Sequence, residues 1–340
     1  MKAAVLTKFG KPENAFEIKE VPNPTINNGQ VLIETEGFGL NYADIMAVQG
    51  DYEDCPPLPA IIGYDVVGRI KETKGDVGDL KIGDRVTALT RFGGYAEFVA
   101  AESSGCAKIK EEVLTGKAMA LTTQYSTAYY CINEVANCKK GDKVLIQAAA
   151  GGVGTALVQM ALKIGCEVFG TCGSAEKIEY LKEMGVHHPI NYKTQDFFEI
   201  IKKEVGDYGL DAVFDAIGGS SAKKGFKLLG SGGTLVLYGA ASMTDTNIFG
   251  KLGMVAGFGL YHPVQFMMSS KGIVGVNMLR IGDDRPHVLK RCLTAVVSML
   301  DENKIDPKIS KVFKIEQLVE ALNYLKDRKS MGKVSVLWKY

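Results

Sequence analysis

Apolar and polar residues alternate with a period of two in a series of short runs near the start of the chain: residues 3–7, 16–20, 31–39, 66–72, 85–89 and 94–101. Turn signals separate them, among them Pro22-Asn23-Pro24, Asn27-Asn28-Gly29, Cys55-Pro56-Pro57-Leu58-Pro59 and Gly83-Asp84. Short strands at this spacing predict a barrel-like β domain. One stretch departs from the pattern. Over 41–48 the apolar positions Tyr42, Ile45 and Met46, with Gln49, have helical spacing.

From about Thr115 the elements lengthen. Residues 143–148 read as a buried strand and 153–164 as a helix apolar nearly all round. Strand and helix then alternate through 167–171, 175–184, 196–205, 210–215, 222–229, 234–238 and 273–276, with Gly185, Gly206 and Gly230 expected to close helices as C-terminal caps. This succession predicts a doubly wound parallel sheet, hence an α/β fold. The tail predicts a long helix at 280–303, another at 315–326 and a strand at 333–339. It is too short for a domain of its own and is expected to fold back on the first one. The expected division is therefore 1–117 with 278–340, and 118–277 as an insertion.

Composition adds exclusions. The 340 residues are 46% apolar and 23% charged, an ordinary globular balance for two domains, and the formal charge of +1 gives no bulk attraction to nucleic acid. The seven cysteines are odd in number and form no Cys-x-x-Cys, which favours free thiols over a disulfide framework. His187 and His188 are adjacent, so a strand would point them to opposite faces; a solvent or strand-start position outweighs a metal site. The opening residues lack a leader's apolar core or Arg-rich pattern, and a cytoplasmic location is expected. Three uncharged stretches, 144–162, 228–244 and 252–270, each contain several glycines and are read as interior segments rather than membrane spans.

Ala149-Ala150-Gly151-Gly152-Val153-Gly154 follows a predicted strand and opens a predicted helix. In that context Gly151 allows a pyrophosphate close to the backbone, Gly154 lets the helix approach the strand, and the helix N-terminus offers N–H donors to phosphate. At the end of the next strand, where an NAD site places a carboxylate for the ribose, the chain reads Gly170-Thr171-Cys172-Gly173-Ser174-Ala175-Glu176-Lys177. Without the acid a 2′-phosphate meets no repulsion, and Ser174 and Lys177 supply a donor and a cation, so NADPH is the expected cofactor. The alternative is that Ser174 only caps the helix and Lys177 is a solvated charge; Glu176, beside Lys177, either points at solvent or weakens the phosphate site.

With these motifs stand Gly39-Leu-Asn41-Tyr-Ala-Asp44, Gln49-Gly-Asp-Tyr52, Leu58-Pro-Ala-Ile-Ile-Gly63-Tyr-Asp65-Val-Val-Gly68, Gly83-Asp84-Arg85-Val86, Gly93-Gly-Tyr-Ala-Glu97 and Gly332-Lys333. Together they resemble the zinc-independent medium-chain dehydrogenases/reductases, closest to the quinone oxidoreductases, with the region after Tyr238 similar to the vesicle amine transport protein branch. The resemblance implies a GroES-like β-barrel substrate domain around a Rossmann nucleotide-binding insertion. The zinc enzymes of this superfamily carry a cysteine ligand where this chain has Asn41 and a Gly-His-Glu where it has Gly63-Tyr64-Asp65. Their structural-zinc loop has no counterpart between Val86 and Tyr95, so no metal is expected. The resemblance also implies Thr127 on the nicotinamide side and Tyr192 at the adenosine phosphate. Ile217, Tyr238-Gly239 and Val276-Asn277 fall at the ends of strands lining the crevice, or else are plain sheet core. Lys333 is expected either to reach the pyrophosphate or to be solvated.

Hydride transfer to a quinone or an α,β-unsaturated carbonyl puts negative charge on oxygen, which calls for a nearby donor. Asn41 and Tyr52 are the candidates, Tyr52 matching the segment whose tyrosine is the acid in related enoyl thioester reductases, and Asp44 is placed to orient either. Alternatively Asn41 and Asp44 cap a helix and Tyr52 packs in its loop. The expected function is an NADPH-dependent quinone or enone reductase, a homodimer through the 273–276 edge strand. The rival is a binding or membrane-associated factor using the apolar segment from Met254 to Met268, which otherwise lines a substrate cleft or a dimer interface.

Overall fold

Paired strands at both ends of the chain and a parallel sheet between them organise the protein, for which a computed structural model describes residues 1–241, 253 and 256–338. Two compact units result: Met1–Ser126 with Met278–Tyr340, and Thr127–Asn277. The expected limit at residue 117 falls inside a continuous helical run that begins at Thr115, whereas the division lies within that run at Ser126.

In the first unit β1 (Lys2–Leu6) and β2 (Phe16–Glu20) form a two-stranded antiparallel sheet. Among the described residues a seven-stranded sheet holds β3 (Gln30–Leu40), β4 (Asp65–Lys74), β5 (Arg85–Leu89), β6 (Phe98–Glu102), β7 (Cys106–Lys108), β14 (Ile309–Lys314) and β15 (Lys333–Leu337). Its order is β14-β15-β3-β4-β5-β7, with β6 also paired to β3. The alternation of buried and half-buried residues along β3 follows from its period of two, with Val31, Ile33 and Thr35 inward, until the register shifts between Thr35 and Gly37 and the remaining positions, Phe38 among them, are all buried. β15 pairs antiparallel with β3 in the register Val334↔Leu40 and Val336↔Phe38, so the tail does supply a strand to the first unit's sheet.

The second unit carries β8 (Lys143–Ile146), β9 (Glu167–Cys172), β10 (His188–Asn191), β11 (Leu210–Asp215), β12 (Leu229–Leu237) and β13 (Gly272–Gly275). All its pairings are parallel, in the order β10-β9-β8-β11-β12-β13. In order of appearance that is 3-2-1-4-5-6, the doubly wound arrangement, with its switch point between β8 and β11. Leu145, Phe169, Val213 and Leu235 form its interior with Ile201 and Phe226 from the helices.

Several local expectations need correction. The helix expected over 280–303 is two, Met278–Asp284 and Pro286–Asp301, because Pro286 lacks an N–H and starts a new helix. Gly230 is no helix cap; it lies inside β12, where a Cβ would stand 1.9 Å from the Tyr208 carbonyl oxygen. The strand expected over 94–101 begins only at Phe98; before it Ala96 makes an isolated antiparallel bridge with Ala3, and Tyr95 donates its backbone N–H to the Ile62 carbonyl. Of the apolar segment, Met254 and Val255 lie outside the described residues, as does Lys339. Phe258, Tyr261 and Phe266 pack on the second unit's core, while Leu260, Val264, Met267 and Met268 are exposed. Among the described residues no helix is long and apolar enough to cross a membrane.

Candidate functional site

In the second unit the turn after β8 is held from below. Thr171 of β9 is wholly buried; its hydroxyl accepts from the Ala148 N–H at 3.3 Å and donates to the Gln147 side-chain oxygen, and its carbonyl accepts from Ala149 N–H at 2.8 Å. Thr171 therefore shapes the turn rather than facing a ligand. Gly151 is the N-cap of helix Gly152–Ile164, and Ala148 takes a positive φ of 52°. A Cβ on Gly154 would stand 2.2 Å from the Ala148 oxygen, so only glycine lets the helix start this close to the strand. Ala150, Gly151, Gly152 and Val153 thus present the free N-terminal end of a thirteen-residue helix. The buried side-chain N–H group of Gln147 beneath the turn lacks a partner, a feature that a scan for glycines passes over.

At the end of β9 stands Cys172, buried, with no carboxylate in the following turn. Ser174 is the N-cap of helix Ala175–Glu183, accepting from the Lys177 N–H at 3.3 Å, so the helix-cap reading of Ser174 holds. Tyr192 is exposed; its N–H bonds the Cys172 carbonyl, and its hydroxyl sits where a Cβ on Gly173 would collide with it, at 2.5 Å. Cys172, Ser174, Lys177 and Tyr192 are therefore grouped around one turn. The neighbouring strand ends bring Ile217 beside Asp215, whose carboxylate accepts its N–H at 2.7 Å. Tyr238 donates its N–H to the Asp215 carbonyl, while its own hydroxyl is buried without a partner. Gly239 lies over Ala216, Val276 is buried and donates its N–H to the Leu237 carbonyl, and Asn277 is exposed. Thr127 is buried in the helix that opens this unit. These features fit a dinucleotide: a glycine cradle, a helix N-terminus, an unpartnered buried amide and an acid-free ribose position.

In the first unit the residues around Asn41 form a buried polar set. Asp65 at the start of β4 accepts from the Asn41 side-chain amide at 2.7 Å, from the Thr122 hydroxyl at 2.5 Å, from the Thr123 N–H at 3.1 Å, and from the Thr123 hydroxyl and the Lys333 ammonium. Lys333 also donates to the Asn41 side-chain oxygen at 3.0 Å. Lys333 is wholly buried in this ion pair, contrary to both of its expected positions. Its stem lies along Gly39, where a Cβ would come within 2.1 Å of it, which explains the glycine in Gly39-Leu-Asn41. With its amide committed at both ends, Asn41 keeps one N–H for other use.

Asp44, in the first turn of helix Tyr42–Gln49, accepts the Asn41 backbone N–H at 2.7 Å, so it caps the helix as one of its expected readings has it. Its other oxygen is buried without a partner, as are the hydroxyls of Tyr64 and Tyr95. Burial raises the Asp44 carboxyl to about 7, against smaller opposing effects of the Asn41 N–H and Lys333. Tyr52 is half-buried, its ring meeting Tyr64 edge-on at 6.3 Å. Burial also raises the Tyr52 phenol, which stays neutral at physiological pH.

Matches to known families agree with this geometry. Residues 27–111 match the alcohol dehydrogenase GroES-like domain, and 152–293 match the zinc-binding dehydrogenase domain. The chain is 33% identical over 339 residues to the human synaptic vesicle membrane protein VAT-1 homolog, covering 98% of this chain and 86% of that one. The chain belongs to the medium-chain dehydrogenase/reductase family. A Bos taurus quinone oxidoreductase-like protein 2 is 29% identical, covering 98% of this chain and 91% of that one. A mycobacterial protein complexed with NADPH superposes with a TM-score of 0.86 at 27% identity, covering 99% of both chains. The name of the second domain implies zinc, and the donor set here does not fit it. The Asp65 carboxylate already holds an ammonium, the Asn41 amide is tied at both ends, and burial drives the Tyr64 phenol strongly upward, so it stays protonated. Among the described residues no group of three or more His, Cys, Asp or Glu is placed to hold a metal.

Proposed function

We propose that the protein is an NADPH-dependent reductase of quinones or α,β-unsaturated carbonyls that works without a metal. The observation that carries this reading is the end of β9: Cys172 takes the place of a ribose-binding acid, with Ser174, Lys177 and Tyr192 around it, a setting that admits a 2′-phosphate. The NADPH complex of the mycobacterial relative and the name of the bovine one point the same way. NADPH, when bound, supplies the hydride. The helix N-terminus at Gly151–Gly154 holds its pyrophosphate, with Thr127, Ile217, Tyr238, Gly239, Val276 and Asn277 along the crevice. Tyr52 supplies the proton to the reduced substrate, and Lys333 with Asp65 fixes the Asn41 amide beside helix Tyr42–Gln49. A cytoplasmic homodimer joined along the edge strand β13 is part of this reading, supported by the half-exposed face around Val274.

The test combines calorimetry and turnover. NADPH is expected to bind at least about tenfold more tightly than NADH, and its oxidation to depend on an added quinone or enone. Tyr52→Phe is expected to cut kcat for the enone with little change in KM. Equal affinity for the two dinucleotides would remove the cofactor assignment, and absence of turnover with every acceptor would remove the reductase. The exposed Leu260, Met267 and Met268, together with the name of the human relative, favour a second reading as a membrane-associated factor. Flotation of the protein with liposomes in the absence of any turnover would support it.

A further inference from the structure

The loop that carries Tyr52 is anchored at both ends and clasped in the middle. Upstream, the Asp51 N–H reaches the Met46 carbonyl at 2.8 Å; downstream, Ala60 and Leu6 exchange backbone hydrogen bonds at 2.8 and 3.0 Å. Between these anchors Tyr52 and Asp54 share one tight turn, closed by the Cys55 N–H on the Tyr52 carbonyl at 3.0 Å. The Asp54 carboxylate ties this turn to two other parts of the first unit. One of its oxygens lies 2.6 Å from the Arg280 guanidinium and 3.5 Å from that of Arg91, and Arg91 in turn reaches Asp283 at 3.2 Å. Arg280 and Asp283 both stand on helix Met278–Asp284, so acids and arginines alternate across three segments of the chain.

The Asp54 side chain is only 9% exposed, whereas Arg91 and Arg280 are 40% and 56% exposed. The carboxylate is thus the enclosed member, and without its arginines it would be an unpaired charge held away from water. A second line of contact returns from the same arginine to Tyr52. The Arg91 guanidinium lies over the Phe92 ring at 5.2 Å, Phe92 leans on Tyr64 at 5.1 Å, and Tyr64 meets Tyr52 edge-on. Phe92 holds a φ of 69°, a conformation rare for phenylalanine that its neighbours must keep in place. Ion pairs on one side and rings on the other close a circuit through Tyr52, Asp54, Arg91, Phe92 and Tyr64.

We propose that Asp54 is a positioning residue for the proton donor: through Arg280 and Arg91 it holds the 52–55 turn, and with it the Tyr52 hydroxyl, in place for the reduced substrate. The proposal rests on the reductase reading and deepens it. Proton delivery needs donor and acceptor within hydrogen-bond reach, and a displacement of about 1 Å can cost roughly a hundredfold in rate. In this role Asp54 touches no reacting atom. Its charge even works against the acid: burial above all raises the Tyr52 phenol, and Asp54 adds to the rise, while Arg91 lowers it. Loss of the charge alone would make Tyr52 a stronger acid, so a slower reaction on its removal reports position.

The experiment measures enone reduction under saturating NADPH for the full chain and for Asp54→Asn, Arg280→Gln and Arg280→Lys, with the first two repeated on a Tyr52→Phe background. Asp54→Asn removes the enclosed charge and leaves the exposed arginines to solvent, so its melting temperature and NADPH affinity are expected to stay near the parent's. Its kcat is expected to fall about tenfold with KM for the enone unchanged. Arg280→Gln is expected to fall less, since Arg91 still holds Asp54, and Arg280→Lys to recover most of that loss. On the Tyr52→Phe background neither Asp54→Asn nor Arg280→Gln is expected to slow the reaction further, because no donor remains to be positioned. A full further loss on that background would show that Asp54 serves the fold at large and would overturn the proposal. So would parent-like kcat in Asp54→Asn or, should that variant fail to fold, in Arg280→Gln; beside a slow Tyr52→Phe, either result leaves the reductase intact. A Tyr52→Phe variant as fast as the parent would remove Tyr52 as the acid, and a parent without turnover would remove the reductase; the clasp's role falls with either.

Discussion

Lys333 carries its charge into the interior with no exposed surface of its own, and Asp65 answers it with a carboxylate equally enclosed. Such a pair gives little net stability, since desolvating both charges offsets their attraction, but removing one partner strands the other. Asp65 would keep its Asn41, Thr122 and Thr123 donors after loss of the lysine, which limits the damage. Lys333→Met is therefore expected to cost about 3 kcal/mol in chemical denaturation, the low end for a broken buried pair. Adding Asp65→Asn to it is expected to recover most of that loss, because no uncompensated charge then remains. A double variant no better than the single one would show that the pair acts through shape rather than charge.

At the scale of elements, the glycine turn separates two kinds of glycine. Gly154→Ala drives a Cβ into the Ala148 carbonyl and to 2.8 Å from the Ala149 Cα, both backbone, so the turn must open. Gly151→Ala meets the same carbonyl at 3.1 Å, which a small shift relieves. Gly154→Ala is expected to lower the melting temperature and abolish NADPH binding together, at a cost of about 1–3 kcal/mol. Gly151→Ala should lose binding with a nearly native melting curve. The two-residue period shows the first strands in the sequence, and the Gly-rich turn stands out because strand and helix flank it. β14 does not show: along Ile309–Lys314 only Phe313 is buried, so its lysines and half-buried positions leave no clean alternation. The Asn41-to-Tyr52 segment is legible as a candidate site because its residues are neighbours. The burial of Lys333 against Asp65 is not, since the two stand 268 residues apart and nothing local to either announces the other.

For the whole molecule, the seven-stranded sheet places β15 between β14 and β3, inside the sheet rather than at its edge. A chain cut before Lys333 would expose both neighbours and strip Asp65 of its ammonium. Such a truncation is expected to abolish the cooperative unfolding of the first unit while the parallel sheet of residues 127–277 keeps its protection in hydrogen exchange. Full-length protection in both units would refute it. The same placement has a consequence in time. A ribosome delivers the nucleotide-binding segment as one uninterrupted stretch, ready to fold as it emerges. Phe38 cannot meet Val336 until the whole segment between them has been synthesised. The sheet around β3 thus matures after the parallel sheet that is translated later, and a growing chain must keep its half-finished strands from other chains until β15 arrives.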